Sequence, residues 1–423
     1  MIENERQGYR QNGVVGLPLL TADMPGTGGT LKAVPEDFQV VEAPLYAASG
    51  EGTHVYAEIE KRGLSTMEAL RRIGGALGLS VKRIGYAGLK DARAVTRQWI
   101  SIEHVDPSVV ESLEIPGVRV LGVTRHGNKL KLGHLSGNRF RIRLRRLAVE
   151  PGEAVVRAEA ILAVLAERGV PNYFGPQRFG SRVDGHLLGA AVIGRRSEEF
   201  IDLLLGGPDL VEQPGIYRAR QCYERGEYEQ AYQGWPGEFH EQRKALQVLI
   251  RNGGMKERAF NVVGKRYKRF MISAFQSDLF NKVVAIRMPA IDKVVAGDMA
   301  YKHANGACFQ VEDALAEQSR CDRFEISATG PMYGYRMADA GGEAGEIERA
   351  VLAPTRLDRE DFRRMGYYRV KGTRRPLRFG PRDVAVEAGE DERGAYLELR
   401  FELDSGCYAT TLVREVAKER DKA

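Results

Sequence analysis

Ile84–Ser101 reads IGYAGLKDARAVTRQWIS. An apolar start at Ile84 breaks at Gly85 and Gly88, Lys90 and Asp91 follow side by side, and apolar alternation resumes at Trp99 and Ile100. This pattern predicts a strand, a glycine-rich turn carrying one acid and one base, and a return strand. Glycines beside a charged pair let another group approach closely, since a residue without Cβ leaves room and accepts φ > 0. Asp91 is therefore the first candidate for chemistry.

Working outward, a helix opens at Ser65, where Ser65 and Glu68 form a capping box and Leu70, Ile73 and Leu77 recur at helical spacing. Gly78 closes it. Upstream, Thr53–Glu60 alternates as a strand with Val55, Ala57 and Ile59 on one side, Lys32–Glu42 reads as extended, and a flexible leader runs to about Gly29. Downstream come a hairpin region near Val123–Gly137 and a helix from Pro151 to Arg168, ended by Gly169. Gly169–Gly180 then forms a loop rich in glycine and aromatics. From about residue 181 apolar helices dominate, among them Arg269–Met288, whose apolar stripe reads as core. Tyr396–Leu403 alternates strictly, with Leu397, Leu399, Phe401 and Leu403 facing in, and a short terminal helix follows. The order points to an α+β chain with a largely helical second lobe inserted in its middle.

With 423 residues the chain exceeds one ordinary core, so two domains or three lobes are expected. Its 43% hydrophobic and 28% charged residues describe a soluble globular protein. No apolar run approaches the roughly 20 residues that span a bilayer, and the polar N-terminus lacks a signal-peptide core, which places the protein in the cytoplasm. Cys222, Cys308, Cys321 and Cys407 lie far apart with no CxxC pair and read as reduced, mostly buried thiols. The seven histidines form no HxxxH or HxH pair, so no metal site is expected. The GTGGT piece near residue 27 lacks the GK[ST] ending of a phosphate loop, and no GxSxG elbow occurs.

The net charge of +6 matters only where it clusters. Arg139, Arg141, Arg143 and Arg145 share one face of a predicted strand, and Arg374, Arg375, Arg378 and Arg382 sit together in a predicted loop. Such stripes either hold phosphates through counterion release or form a solvated face, and charge alone does not choose. What remains is a carboxylate acting alone among aromatics and arginines, which suits attack at a sugar carbon or proton abstraction beside it.

The run GYAGLKDARAVTRQWIS resembles the signature of the TruD family of pseudouridine synthases, G-x-K-D-x-x-A-x-T-x-Q, at Gly88, Lys90, Asp91, Ala94, Thr96 and Gln98. Further blocks of that family occur in order: EDFQVVE, KRGLST, the GN-x-F block at Gly137–Phe140, NYFGPQRFG, ISAFQSDLFN and YATTLVRE. Ala92 departs from the basic residue many relatives carry. The length resembles that of archaeal members.

The resemblance implies a pseudouridine synthase catalytic fold, a mixed and mostly antiparallel sheet with flanking helices, formed by residues 1–170 together with 386–423, and an inserted TRUD domain over 171–385. It implies that a uridine in tRNA, at position 13 by family precedent, is flipped out, cut at its N1–C1′ bond, turned and rejoined through C5. Asp91 would be the essential carboxylate, either attacking C1′ or removing a C2′ proton. Phe38 would stack on the base, Asn138 would hydrogen-bond the substrate, and Tyr408 would fill the aromatic slot of the closing motif. Lys32 and Lys90 would supply positive charge near the phosphate or the acid, and Phe140 would line the site. No metal, small-molecule cofactor or membrane is implied, and a monomer is expected. Two other readings stay open: a tRNA chaperone or binding module without turnover, and a glycosidase using Asp91 with a second carboxylate.

Overall fold

In the computed structural model, which describes residues 16–210, 212–364 and 368–418, the chain divides into two compact units. One comprises Leu19–Pro171 with Phe379–Arg420, the other Asn172–Arg378.

The first unit is built on nine strands: β1 (Gly28–Leu31), β2 (Phe38–Pro44), β3 (His54–Arg62), β4 (Ile84–Tyr86), β5 (Val95–Glu103), β6 (Val118–His126), β7 (Leu135–Leu147), β8 (Arg382–Asp391) and β9 (Gly394–Asp404). The order across the sheet is β8-β9-β7-β2-β5-β3-β6, with β1 on β7 and β4 on β5. Only β2 and β5 run parallel; the other neighbouring pairs are antiparallel. The mixed, mostly antiparallel sheet is thus present. Ile84 pairs with Ile102 and Tyr86 with Ile100, so the quoted stretch is a strand, a turn and a return strand.

Alternation decides which face is buried. Leu397, Leu399, Phe401 and Leu403 of β9 join Ile142 and Leu144 of β7 and Phe38 and Val40 of β2 in one apolar cluster. It is closed by Ile161 and Leu165 of helix α2 (Pro151–Arg168) and Leu412 and Val416 of helix α3 (Ala409–Ala417). A second cluster packs Val55, Ala57 and Ile59 of β3 against Leu70 and Ile73 of helix α1 (Thr66–Ala76). The Ser65 hydroxyl caps α1 by accepting from the Glu68 N–H at 3.2 Å, and Gly78 ends it at φ +66°.

The Asn172–Arg378 unit is largely helical, with a four-stranded antiparallel sheet in the order Cys308–Gln310, Met299–Lys302, Ile326–Met332, Thr373–Pro376. Its long helix, Lys265–Arg287, lies against Gly185–Ile193. A Cβ on Gly189 would fall 2.1 Å from the Met271 carbonyl oxygen, so glycine sets the closeness of that contact.

Several expectations are corrected. Val123–Gly137 is no hairpin: β6 pairs with β3, while β7 pairs with β1, β2 and β9. Residues 1–15 of the expected leader lie outside the described residues, but its later part is anchored, since Thr21 donates to Glu415 of α3 at 2.7 Å and Gly28 already belongs to β1. Of the four thiols, only Cys321 is buried, and Cys308 is exposed.

Neither arginine cluster is a free phosphate stripe. Arg141 and Arg143 both grip Glu398 of β9, at 2.7 and 2.8 Å, Arg139 pairs with Glu402, and Arg145 bridges Asp37 and Asp391 at 2.8 and 2.7 Å. Burial raises the Glu398 carboxyl, but hydrogen bonds from Arg141, Arg143 and Arg400 outweigh it and bring the group to about 2. In the second cluster, Arg374 is buried on Glu348 at 2.9 Å, Arg378 donates to the Cys321 carbonyl at 2.6 Å, and Arg382 pairs with Asp404. Glu398, Glu402 and Asp37 lie far in sequence from the β7 arginines they pair with, so local charge counting overstates the exposed positive surface.

Candidate active site

The turn between β4 and β5 carries Asp91, and the sequence around it is fastened at several points. Thr66, at the head of α1, accepts from the Lys90 N–H at 2.8 Å and donates to the Gln98 side chain on β5 at 2.9 Å. The Gly133 N–H donates to the Ala87 carbonyl at 2.9 Å, and the Gly63 N–H to that of Ala94 at 3.2 Å. Gly85 and Gly88 are absent from the residues at positive φ. Their smallness is needed for space instead: a Cβ at 85 would fall 2.3 Å from the Leu130 carbonyl oxygen, and one at 88 would crowd the Lys90 ammonium at 3.2 Å.

Lys61, on β3, does most to fix the loop backbone. Its ammonium donates to the carbonyls of Leu64 at 2.6 Å and Asp91 at 2.7 Å, with that of Lys90 at 3.5 Å. The residue is fully buried. Burial pulls its proton affinity down to about 8, partly offset by the Asp91 charge and reinforced by that of Lys90.

Two charged groups meet at this loop. In the first, Lys32 lies 2.6 Å from Asp91 Oδ2 and 4.1 Å over the ring of Phe38. Lys32 holds φ +57°, a left-handed conformation that costs a β-carbon residue energy and marks a constrained position. The Asp91 carboxyl keeps 34% of its surface exposed, so with Oδ2 engaged it can still meet a substrate. In the second, Lys90 reaches Glu42 of β2 at 2.7 Å and Asn138 Oδ1 of β7 at 2.7 Å, and the Lys90 and Glu42 side chains are 5% and 1% exposed.

The aromatics sort by access. Phe38 is 2% exposed, its ring under Lys32 and edge-on to Phe140 at 6.2 Å. Phe140 is half-buried and stacked on Phe401 at 5.4 Å; the cavity of about 360 Å³ that it borders is lined by Gln39, Arg97, Arg139, Arg141 and Glu402 and does not include Asp91, Lys32, Lys90 or Asn138. It stands two residues from Asn138 on the same face of β7. Tyr408 heads α3, its carbonyl accepting from the Thr411 hydroxyl at 2.6 Å, on the turn that leaves β9 where Leu403 pairs with Asn138. The structure therefore gathers Lys32, Phe38 and Asp91 at one contact and Lys90 and Asn138 at another, with Phe140 edge-on to Phe38 and Tyr408 at that end of the sheet. Among the described residues, no group of three His, Cys, Asp or Glu side chains is placed to hold a metal ion.

Sequence reasoning assigned nothing to Lys61, Glu42 or Thr66. The signal for Lys61 was present, since it continues the inward alternation of Val55, Ala57 and Ile59, where a lysine is tolerated only with acceptors around it.

A family model described as tRNA pseudouridine synthase D (TruD) matches residues 14–416. The tRNA pseudouridine synthase D of Geotalea daltonii is 46% identical over 401 residues, covering 95% of this chain and 99% of that protein. That of Thermus thermophilus is 41% identical over 404 residues, covering 95% and 92%. The crystal structure of the putative tRNA pseudouridine synthase D from Methanosarcina mazei superposes with a TM-score of 0.81 at 31% identity, covering 96% of this chain and 97% of that one.

Proposed function

Since this chain belongs to the TruD family, we propose that it is a tRNA pseudouridine synthase whose reacting group is Asp91. The enzyme isomerises a uridine in tRNA, breaking the N1–C1′ bond and joining C5 to C1′, so no atom is lost and no electron is exchanged. The observation that carries the assignment to Asp91 is the loop itself: a partly open carboxylate with Lys32 on one oxygen and its backbone clamped from below by Lys61.

The remaining roles follow from access. Lys32 keeps a positive charge beside the carboxylate and aims it. Phe38 is closed in and serves as the floor beneath Lys32, while the open surface of Phe140 is the better platform for a flipped base. Lys90, held by Glu42, orients the Asn138 amide, whose remaining N–H donors can meet the uracil edge. Tyr408 closes that end of the site. The uridine at position 13, a monomer and a cytoplasmic setting belong to the same proposal, as do a catalytic domain of residues 1–170 with 386–423 and an inserted domain of 171–385.

The test is incubation with unmodified tRNA and mapping of pseudouridine in the product. Wild type is expected to convert one uridine and Asp91→Ala none. A wild type without pseudouridine overturns the enzyme reading in favour of a binding module. Release of free uracil favours a glycosidase. Pseudouridine from the variant removes Asp91 from its role.

A further inference from the structure

We infer that Lys61 is a positioning residue for the isomerisation: donating to the carbonyls of Leu64, Lys90 and Asp91, its ammonium fixes the backbone from which the Asp91 carboxylate is presented. The inference rests on Asp91 being the reacting group.

The geometry demands the charged form. An ammonium has three N–H donors, and here three carbonyl oxygens surround it, at 2.6, 2.7 and 3.5 Å. A neutral amine has two donors and a lone pair, so one carbonyl would face that lone pair. The contact to Asp91 is with its backbone carbonyl, whereas Lys32 meets its carboxylate, so the two lysines act on different atoms of one residue. Lys61 touches neither the carboxyl oxygens nor the open surface. It acts on the reaction through where the loop sits and through its charge near Asp91, and a small displacement at a reacting group is costly in rate.

The same enclosure makes this lysine unusual in losing its proton at moderately alkaline pH. Burial lowers its affinity to about 8, and the charged groups facing it, Asp91 and Lys90, pull in opposite directions. Beyond them stand Lys32 on Asp91 and Glu42 on Lys90. With its affinity near 8, the ammonium that donates to these carbonyls is progressively deprotonated as pH rises through that value. Linkage to folding runs the other way. An unfolded lysine still holds its proton above pH 8, so through this group alone the fold gains stability as pH rises towards the ordinary lysine range. Deprotonation of Lys61 by itself therefore does not unfold the chain.

The experiment measures single-turnover pseudouridine formation at saturating unmodified tRNA from pH 6.5 to 9.5, with tRNA affinity, for wild type, Lys61→Arg and Lys61→Met. Wild type is expected to slow about tenfold between pH 7 and pH 9, as one proton on a group near 8 requires. Lys61→Arg stays charged throughout and should show no such fall, whatever its absolute rate. Lys61→Met should be slow at every pH, with tRNA affinity within about threefold of wild type and no fall near pH 8. An active wild type whose rate is flat from pH 7 to 9 overturns the inference alone, and needs no variant to fold. A fall near pH 8 that persists in either variant also overturns it. A wild type silent at every pH sinks the enzyme reading, and this inference with it.

Discussion

Replacing Glu42 with glutamine tests whether charge holds the buried pair beneath the reaction loop. Lys90 Nζ lies 2.7 Å from the Glu42 carboxylate, with both side chains almost wholly enclosed. At that separation and an effective dielectric of about 20, the gross attraction is about 6 kcal/mol, set against the desolvation of both ions. Glutamine keeps the shape and the oxygen that accepts from the Trp99 N–H at 3.3 Å. It removes the charge, leaving the Lys90 ammonium with Asn138. Breaking one side of such a pair costs about 3–5 kcal/mol, because the surviving charge stays buried. The assay is urea unfolding followed by Trp99 fluorescence in a Trp235→Phe background, since these are the two tryptophans and they sit in different units. With a slope of about 2 kcal/mol per molar urea, the midpoint should fall by about 1.5–2.5 M. Adding Lys90→Met should recover most of the loss, because no lone charge remains. A loss below about 1 kcal/mol, or strict additivity of the two substitutions, refutes the account.

Three further outcomes are expected. Phe38→Ala should destabilise the same unfolding transition by about 3–5 kcal/mol, because the ring is 2% exposed and its removal leaves a cavity, whereas Phe140→Leu should slow pseudouridine formation more than it shifts that transition. Asn138→Ala should lower the single-turnover rate about 10–100-fold, equivalent to one charge-assisted hydrogen bond, and a rate within twofold of wild type would release Asn138 from the site. His186, whose imidazole burial pushes down to about 3, with the Lys282 charge adding to it, stays neutral in the fold while the unfolded chain binds a proton below about pH 6.5. The Asn172–Arg378 unit should therefore lose about 2 kcal/mol of stability between pH 7 and pH 5, and denaturant unfolding of His186→Leu over that range should show a smaller loss.

Features written in consecutive residues were legible in the sequence. The Ser65 cap, the Gly78 stop, the alternation of β9 and the strand, turn and return around Asp91 each depend on neighbours within a few positions. Features that need two distant segments were not. The arginines of β7 read as an open stripe because Glu398 and Glu402 arrive on another strand, and β6 read as the hairpin partner of β7 because nothing local shows that it pairs with β3. Within the site, the resemblance singled out Asp91, Lys90 and Asn138, but not the Glu42 carboxylate that locks two of them together. Phe38 was legible as an aromatic near the site, and only packing shows that its ring is roofed by Lys32.

The central strand β7 acquires one of its partners very late, since Arg139 and Glu402 are 263 residues apart. A ribosome adding about 5–20 residues per second needs roughly 13–50 s to cover that distance, during which the strand's open edge must stay out of trouble. Until β9 is made, β7 lacks that neighbour, so the sheet that carries the Asp91 loop is completed only late in synthesis.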